Sequence, residues 1–267
     1  MGNANGSSVI GEGRAMYGMG TFICIVPVFS QPRDPNVMIA RGLNSEHHAI
    51  PGKYVTFMYN EGGALFKWFR DTFARAERQL AREAGEDIYA RLLAEIPNGP
   101  SEVTVLPRFS ATGRPDLISD ACGVIVGLRL DTTRGDILKG ILEGTTFYVR
   151  EWVASLPATG IHITDYRAVG GGSKSDAWTQ VCADIMGRPF MRPKVTEAGA
   201  LGAAIMAGVG SGIFPSIASG VESMVRLDRT FDPSPERQRL YDGRFQRYTR
   251  LRTLVQDYSS HLASNPG

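Results

Sequence analysis

The chain is poor in the residues that build disulfides and metal sites. Its 267 residues include three cysteines, Cys24, Cys122 and Cys182, and four histidines. The cysteines are odd in number, far apart and without a Cys-x-x-Cys pair, so we predict no disulfide framework and a reducing, cytoplasmic location. The histidines lack the His-x-x-x-His and His-Glu-x-x-His spacings of zinc proteins, so we predict no bound zinc.

Long apolar runs are also missing. No stretch reaches the roughly 18 consecutive apolar residues of a membrane-spanning helix, and the closest, Ala198 to Phe214, is rich in Gly and Ala. The first residues, MGNANGSSVIGEGRAMYG, contain no basic region followed by an apolar run. We therefore expect neither a membrane span nor a secretory signal.

Charge of one sign does not dominate. The chain carries 29 basic and 27 acidic residues, a formal net charge of +2. This balance argues against a nucleic-acid partner, and it means that a small anion would have to be held by a local site. No repeat and no Pro/Gly/Ser-rich linker divides the sequence, so we predict one domain over residues 1–267.

Strand-like runs alternate with amphipathic segments, which predicts an α/β fold. The clearest predicted strands are Thr21–Phe29, Val103–Phe109, Gly123–Leu130 and Ile161–Val169, with a loop over 110–122. One helix is predicted from Gly62 to about Ile96, and a capping-box pattern of Thr133 and Asp136 starts another. Further helices are predicted near Asp176, over Ala198–Ala207 and from Pro233 to about Leu262.

The most distinctive local pattern is VGGGSKSDAW, Val169 to Trp178, at a predicted strand-to-helix junction. Glycines there allow a ligand to approach the backbone, and free amides at a helix start favour phosphate. A tight turn with a glycine cap explains the pattern equally well. The run fits neither the GxxxxGK[ST] phosphate loop nor the GxGxxG dinucleotide fingerprint.

A second glycine-rich turn, Tyr17 to Thr21, leads directly into the first predicted strand. It could cradle phosphate oxygens, although an ordinary hairpin is the simpler interpretation. Gly123 is a third glycine at a strand start. No Ser–His–Asp, Cys–His or paired-carboxylate pattern appears, so we predict no catalytic residue within this sequence.

Taken in order, these segments resemble the FGGY family of carbohydrate kinases, in the C-terminal domain of that family. GVIVGLRLDTTRGDILKGILE, Gly123 to Glu143, is similar to the family's second signature, although Gly140 replaces the usual Ala or Ser. GGGSKSDAWTQVCADIMGRP resembles the adenine-side motif, TEAGALGAAIMAG resembles the adjoining stretch, and YGMGTF resembles the phosphate turn.

The resemblance implies an actin-like, ribonuclease H-like ATPase domain that binds ATP or ADP with Mg²⁺. The residues that it places around the nucleotide are Gly18, Gly20 and Thr21 at the phosphates, Gly123 along the ribose and phosphate path, and Gly170, Gly171 and Ser175 around the adenosine. Met19 departs from the usual Thr, and a thioether cannot donate a hydrogen bond to phosphate. Ser175 stands where Asn is also common.

The family's catalytic Asp would fall just before Met1, and the N-terminal domain that supplies most sugar contacts would also lie outside the chain. The resemblance therefore implies the nucleotide-binding half of a sugar kinase, inactive alone, which meets a sugar or polyol only together with the missing domain. A pentulose is the favoured substrate. A non-catalytic nucleotide-binding or interaction module derived from such a kinase is the alternative.

The surface that would face the missing domain should be exposed in this chain. We therefore predict that the chain self-associates. Light scattering over about a tenfold range of protein concentration measures it, and the apparent mass should rise with concentration because apolar surface is exposed. A constant monomer mass would contradict this expectation.

Overall fold

A computed structural model of the chain describes residues 2–110 and 121–264. The strands, in chain order, are β1 (Arg14–Met19), β2 (Phe22–Phe29), β3 (Glu46–His47), β4 (Tyr54–Val55), β5 (Met58–Glu61), β6 (Thr104–Leu106), β7 (Val124–Val126), β8 (Asp165–Val169), β9 (Phe190–Pro193) and β10 (Leu227–Phe231). An eight-stranded sheet has the order β10-β9-β8-β1-β2-β4-β3, and β5 also pairs with β2. The hairpin of β6 and β7 forms a separate small sheet.

Helices cover both faces of the large sheet. In chain order they are α1 (Gly2–Gly6), α2 (Pro35–Ile39), α3 (Gly63–Phe73), α4 (Arg75–Ala84), α5 (Ile88–Leu93), α6 (Arg134–Val153), α7 (Asp176–Met186), α8 (Ala198–Gly210), α9 (Ile217–Met224) and α10 (Pro235–Ser264). Within the described ranges, every helix is too short or too polar to cross a bilayer.

The alternation of side chains along β1 divides the interior into two cores. Ala15, Tyr17 and Met19 point into the larger core, which also contains the buried residues of α6 and α7. Met16 belongs to a smaller core, formed with residues of α1 and α8. Gly18 has the same parity as Met16, so it faces the side of the sheet that α1 and α8 cover.

The mixed α/β fold predicted from the sequence is confirmed. The capping box is present, because Thr133 accepts a hydrogen bond from the amide of Asp136 and the Asp136 side chain accepts one from the amide of Thr133. The strand over residues 21–29 and the helix that starts at Asp176 also form as predicted. Most of the loop predicted over 110–122 lies outside the described residues.

Several predictions of local structure were wrong in extent. The strands predicted over 103–109, 123–130 and 161–169 are shorter, and they correspond to β6, β7 and β8. The helix predicted over 62–96 is three helices, because Gly85 ends α4 with a φ of +68° and Asp87 then caps α5. The glycine-rich turn predicted over 17–21 is shorter, because its first three residues belong to β1. Hydrogen bonding to both neighbouring strands holds those residues extended.

Helices α1 and α8 approach so closely that side chains would not fit between them. A Cβ at Gly202 would overlap the carbonyl oxygen of Gly2, and a Cβ at Gly6 would overlap that of Ala198. Gly210 lies on the same helix α8 with no atom within 4 Å of its Cβ position. Gly202 and Gly210 therefore offer a matched test of whether the contact between α1 and α8 stabilises the fold.

We expect Gly202→Ala to lower the free energy of unfolding by roughly 1–3 kcal/mol, because the added methyl group forces the two helices apart. Gly210→Ala should be neutral or stabilising by up to about 1 kcal/mol, since alanine favours the helix. Urea denaturation followed by circular dichroism measures both. Equal stability of the two variants would contradict the close contact.

Candidate functional site

A cleft opens where two neighbouring parallel strands end. Gly18 of β1 lies opposite Val169 of β8, so the residues after both strands emerge side by side. The cleft has a volume of about 320 Å³. The polar, glycine and cysteine residues that line it are Asn3, Gly18, Gly20, Cys24, Gly170, Thr196, Glu197 and Gly199. Ligands of open α/β sheets commonly bind at the carboxyl ends of strands, as at this edge.

The turn between β1 and β2 forms one wall of the cleft. Cβ atoms at Gly18 and Gly20 would meet only ordinary contacts, 3.5 Å and 3.6 Å away. Packing therefore does not require glycine at either position. The effect of glycine at both positions is that the cleft stays open. Met19, between them, is 1% exposed and packs in the larger core, with its Sδ 4.0 Å from Thr179 Oγ1.

The segment after β8 forms the opposite wall. Gly170 has a φ of +88°, which favours glycine, and its Cβ position lies 3.2 Å from the carbonyl of Met19. Its amide donates to the Thr196 carbonyl at 3.0 Å, which joins this wall to the start of α8. Ser173 Oγ donates to the Gly170 carbonyl at 2.7 Å and closes the 3₁₀ turn that follows.

The start of α7 is fixed by its own cap and by an arginine. Ser175 Oγ accepts a hydrogen bond from the amide of Trp178 at 3.2 Å, so this hydroxyl is the N-cap of α7. The hydrogen of the Ser175 hydroxyl remains available for donation to a ligand. Arg192 donates to the Ser173 carbonyl at 3.0 Å and to Asp176 Oδ1 at 2.7 Å. The turn is therefore held from both ends.

The glycines that open α3, predicted from the sequence only as the start of a helix, also contact the β1–β2 turn. The amide of Gly63 donates to the Gly20 carbonyl at 2.9 Å, and the amide of Gly62 donates to the Thr21 carbonyl at 3.2 Å. A Cβ at Gly63 would lie 2.5 Å from the Gly20 oxygen. The Gly-Gly pair thus allows the first turn of α3 to support the β1–β2 turn from behind.

The start of α8, which the sequence predicts only as a helix over Ala198–Ala207, also lines the cleft. Glu197 is the N-cap residue of α8, and it is the only carboxylate among the described residues that line the cleft. Cys24 lines it as well, and burial raises the pKa of this thiol to about 11, so it stays protonated at neutral pH. The polar part of the cleft wall is therefore mainly backbone and small side chains, and larger apolar residues complete the lining: Met16, Phe22, Val26, Phe57 and Val169.

The structure brings together some of the predicted nucleotide residues but not all of them. Gly18, Gly20 and Gly170 line the cleft. Thr21 and Gly171 follow two of them directly, and both are exposed. Ser175 ends the turn that begins at Gly170.

Gly123 is placed elsewhere. It precedes β7 in the separate small sheet, where a Cβ would overlap the ring of Phe109. It is not among the residues that line the cleft. Close packing against this ring gives Gly123 a structural reason to be glycine, independent of any ligand.

Comparison with known proteins adds to this geometry. The sequence profile described as "FGGY family of carbohydrate kinases, C-terminal domain" matches residues 16–211. An autoinducer-2 kinase of Escherichia coli (strain SMS-3-5 / SECEC) is 36% identical over 210 residues, which cover 73% of this chain and 38% of that protein. An autoinducer-2 kinase of Enterobacter sp. (strain 638) is 31% identical over 254 residues, 91% of this chain and 46% of that protein.

Solved structures share the fold. Xylulose kinase from Rhodospirillum rubrum matches with a TM-score of 0.79 and 25% identity, over 96% of this chain and 50% of that chain. Plasmodium falciparum glycerol kinase with ADP matches with a TM-score of 0.74 and 23% identity, over 95% of this chain and 49% of that chain. The chain thus spans less than half of the length of these curated relatives and about half of these solved chains.

Two neighbouring glycines in the turn after β8 should respond differently to alanine. At Gly172 a Cβ would lie 2.6 Å from Trp178 Cζ3 and 2.9 Å from the Met19 oxygen, whereas at Gly171 no atom lies within 4 Å. We expect Gly172→Ala to cost roughly 1–3 kcal/mol of stability and Gly171→Ala less than about 0.5 kcal/mol. Thermal denaturation of both variants measures this, and a reversed order would contradict the described turn.

Proposed function

Because the chain belongs to the FGGY family of carbohydrate kinases, we propose that it is the nucleotide-binding half of an ATP-dependent kinase that phosphorylates a sugar or polyol hydroxyl. The observation that carries the proposal is the cleft itself. Two glycine-containing segments meet there, at the ends of parallel strands, and they border an open space of about 320 Å³.

In this proposal the β1–β2 turn and the start of α8 hold the phosphates. Gly18 and Gly20 leave their side of the cleft open, and Thr21 adds an exposed hydroxyl. The N-terminus of an α-helix attracts anions through its free amides and its dipole, and α8 begins at the cleft. The turn from Gly170 to Ser175 takes the adenosine.

Phosphoryl transfer also needs a group that orients the attacking hydroxyl. Among the described cleft residues Glu197 is the only carboxylate, and it stands at the N-cap position of α8 without a side-chain capping hydrogen bond. We therefore propose that residues outside this sequence supply the catalytic base and most sugar contacts. In the described ranges no group of three or more His, Cys, Asp or Glu side chains could hold a metal, so we propose that Mg²⁺ enters on the phosphates of ATP.

For the acceptor we propose a pentulose. The similarity to a xylulose kinase supports this choice, and the similarity to autoinducer-2 kinases supplies a second compound to test. A phosphorylation assay would combine this chain with the other half of the kinase and offer xylulose or autoinducer-2 as the acceptor. The two rates would show which compound is the better substrate.

Nucleotide binding is tested by calorimetric titration with Mg-ADP. We expect saturable binding to the natural chain and its loss in Gly171→Asp, because the added charged side chain would occupy the place of the adenosine while the protein itself has room for it. Gly243→Asp adds the same charge on α10, where no atom lies within 4 Å of the Cβ position, and should bind normally. Equal binding by both variants would contradict the assigned site.

Catalysis by the chain alone is tested by a coupled assay of ADP release. With ATP, Mg²⁺ and xylulose we expect no release stimulated by the sugar, because loss of a general base alone typically costs about 10²- to 10⁴-fold in rate and the sugar site is missing as well. Sugar-dependent release at ordinary kinase rates would contradict the proposal and would place a complete active site within this sequence.

A further inference from the structure

A second cavity lies where α6, α7, β10 and α10 meet. Its volume is about 250 Å³. None of its lining residues lines the glycine cleft. The polar and charged residues among them are Asn98, Lys139, Asp176, Gln180, Arg229 and Arg237.

Lys139 is the unusual member of this group. It lines the cavity although only 3% of the residue is exposed. Among the described residues its ammonium makes no direct hydrogen bond or ion pair, although the carboxylates of Glu143 and Asp184 attract it. Burial lowers the pKa of Lys139. Because Lys139 lines the cavity and its ammonium makes no direct ion pair, this position suits a ligand that supplies negative charge.

Glu143, one helical turn along α6, is the first carboxylate near Lys139, and other donors already bind it. Its carboxyl oxygen Oε1 already accepts hydrogen bonds from the Ser101 amide at 3.1 Å and from the Tyr241 hydroxyl at 3.2 Å. Burial raises the pKa of Glu143 to about 8.

Asp184 on α7 is the second carboxylate near Lys139. Its Oδ1 accepts from the Ser234 amide at 2.8 Å and from Gln180 Nε2 at 3.0 Å. Its Oδ2 makes no hydrogen bond with the described residues, and Arg237 Nη1 lies 3.6 Å away. A water between Asp184 and Lys139 is thus the rival explanation for this arrangement.

Two arginines at the rim add positive charge. Arg237 on α10 and Arg229 on β10 line the cavity with side chains that are 46% and 55% exposed. Asp176, at the start of α7, is already paired with Arg229 and with Arg192. The first turn of α7 also presents its amino end here, which favours anions.

We propose that this cavity binds a phosphate group, either as inorganic phosphate or as part of a phosphomonoester, with Lys139 as its innermost ligand and Arg229 and Arg237 at the rim. A phosphate dianion can accept several charge-assisted hydrogen bonds at once, which suits three cationic side chains around a small volume. The site is separate from the nucleotide cleft and does not depend on its assignment.

The proposal is tested by calorimetric titration of the chain with sodium phosphate and with glycerol 3-phosphate. We expect saturable binding, and an affinity about 10- to 100-fold lower in Lys139→Met, because a charge-assisted hydrogen bond is lost while the side-chain volume is kept. Arg239→Gln removes one exposed charge of α10 outside the cavity and should bind normally. Tighter binding of the ester would identify a phosphomonoester as the ligand, and equal binding would identify phosphate alone.

Two further variants keep the test decisive. Arg229→Gln changes an exposed side chain and should weaken binding even if Lys139→Met does not fold, as judged by circular dichroism. Gly171→Asp should leave phosphate binding intact, because it alters the other cleft. Absence of phosphate binding by the folded chain would overturn the proposal in favour of the water-bridged pair. Loss of binding in Gly171→Asp, or unchanged affinity in both Lys139→Met and Arg229→Gln, would overturn it as well.

Discussion

The parallel pairing of β1 with β8 is the constraint on which the candidate site depends. It sets Gly18 opposite Val169, so that two segments separated by about 150 residues of sequence turn away from the sheet side by side. Gly170, at φ +88°, then packs against the carbonyl of Met19, and its amide bonds to Thr196 at the start of α8. A shift of this register by one residue would exchange the faces of the sheet and close the cleft with Met19.

Much of the fold could be predicted because the signals are local. The capping box of Thr133 and Asp136 and the glycine segment after β8 appear directly in the sequence. The roles of Gly62 and Gly63 could not be predicted in the same way. A Cβ at Gly62 would overlap the Ile23 side chain and one at Gly63 the Gly20 carbonyl, both about 40 residues away in the sequence. Local sequence gives no information on such a contact.

Glycine has different physical causes at different positions, and the structure separates them. At Gly202, Gly172 and Gly123 a side chain would collide with neighbouring atoms, so packing alone explains the residue. At Gly18 and Gly171 there is space for a side chain, so an open ligand path is the remaining physical reason. Sequence patterns treat all of these alike, and for that reason the prediction for Gly123 rested on resemblance alone.

Hydrogen–deuterium exchange with and without Mg-ADP tests the central claim most directly, because it reports on each segment of the chain in one experiment. The account predicts slower exchange on nucleotide binding in the β1–β2 turn, in the turn from Gly170 to Ser175 and at the start of α8. The segment around Gly123 should be unaffected. Protection confined to the β6–β7 sheet, or to the Lys139 cavity, would contradict the assignment of the cleft as the nucleotide site.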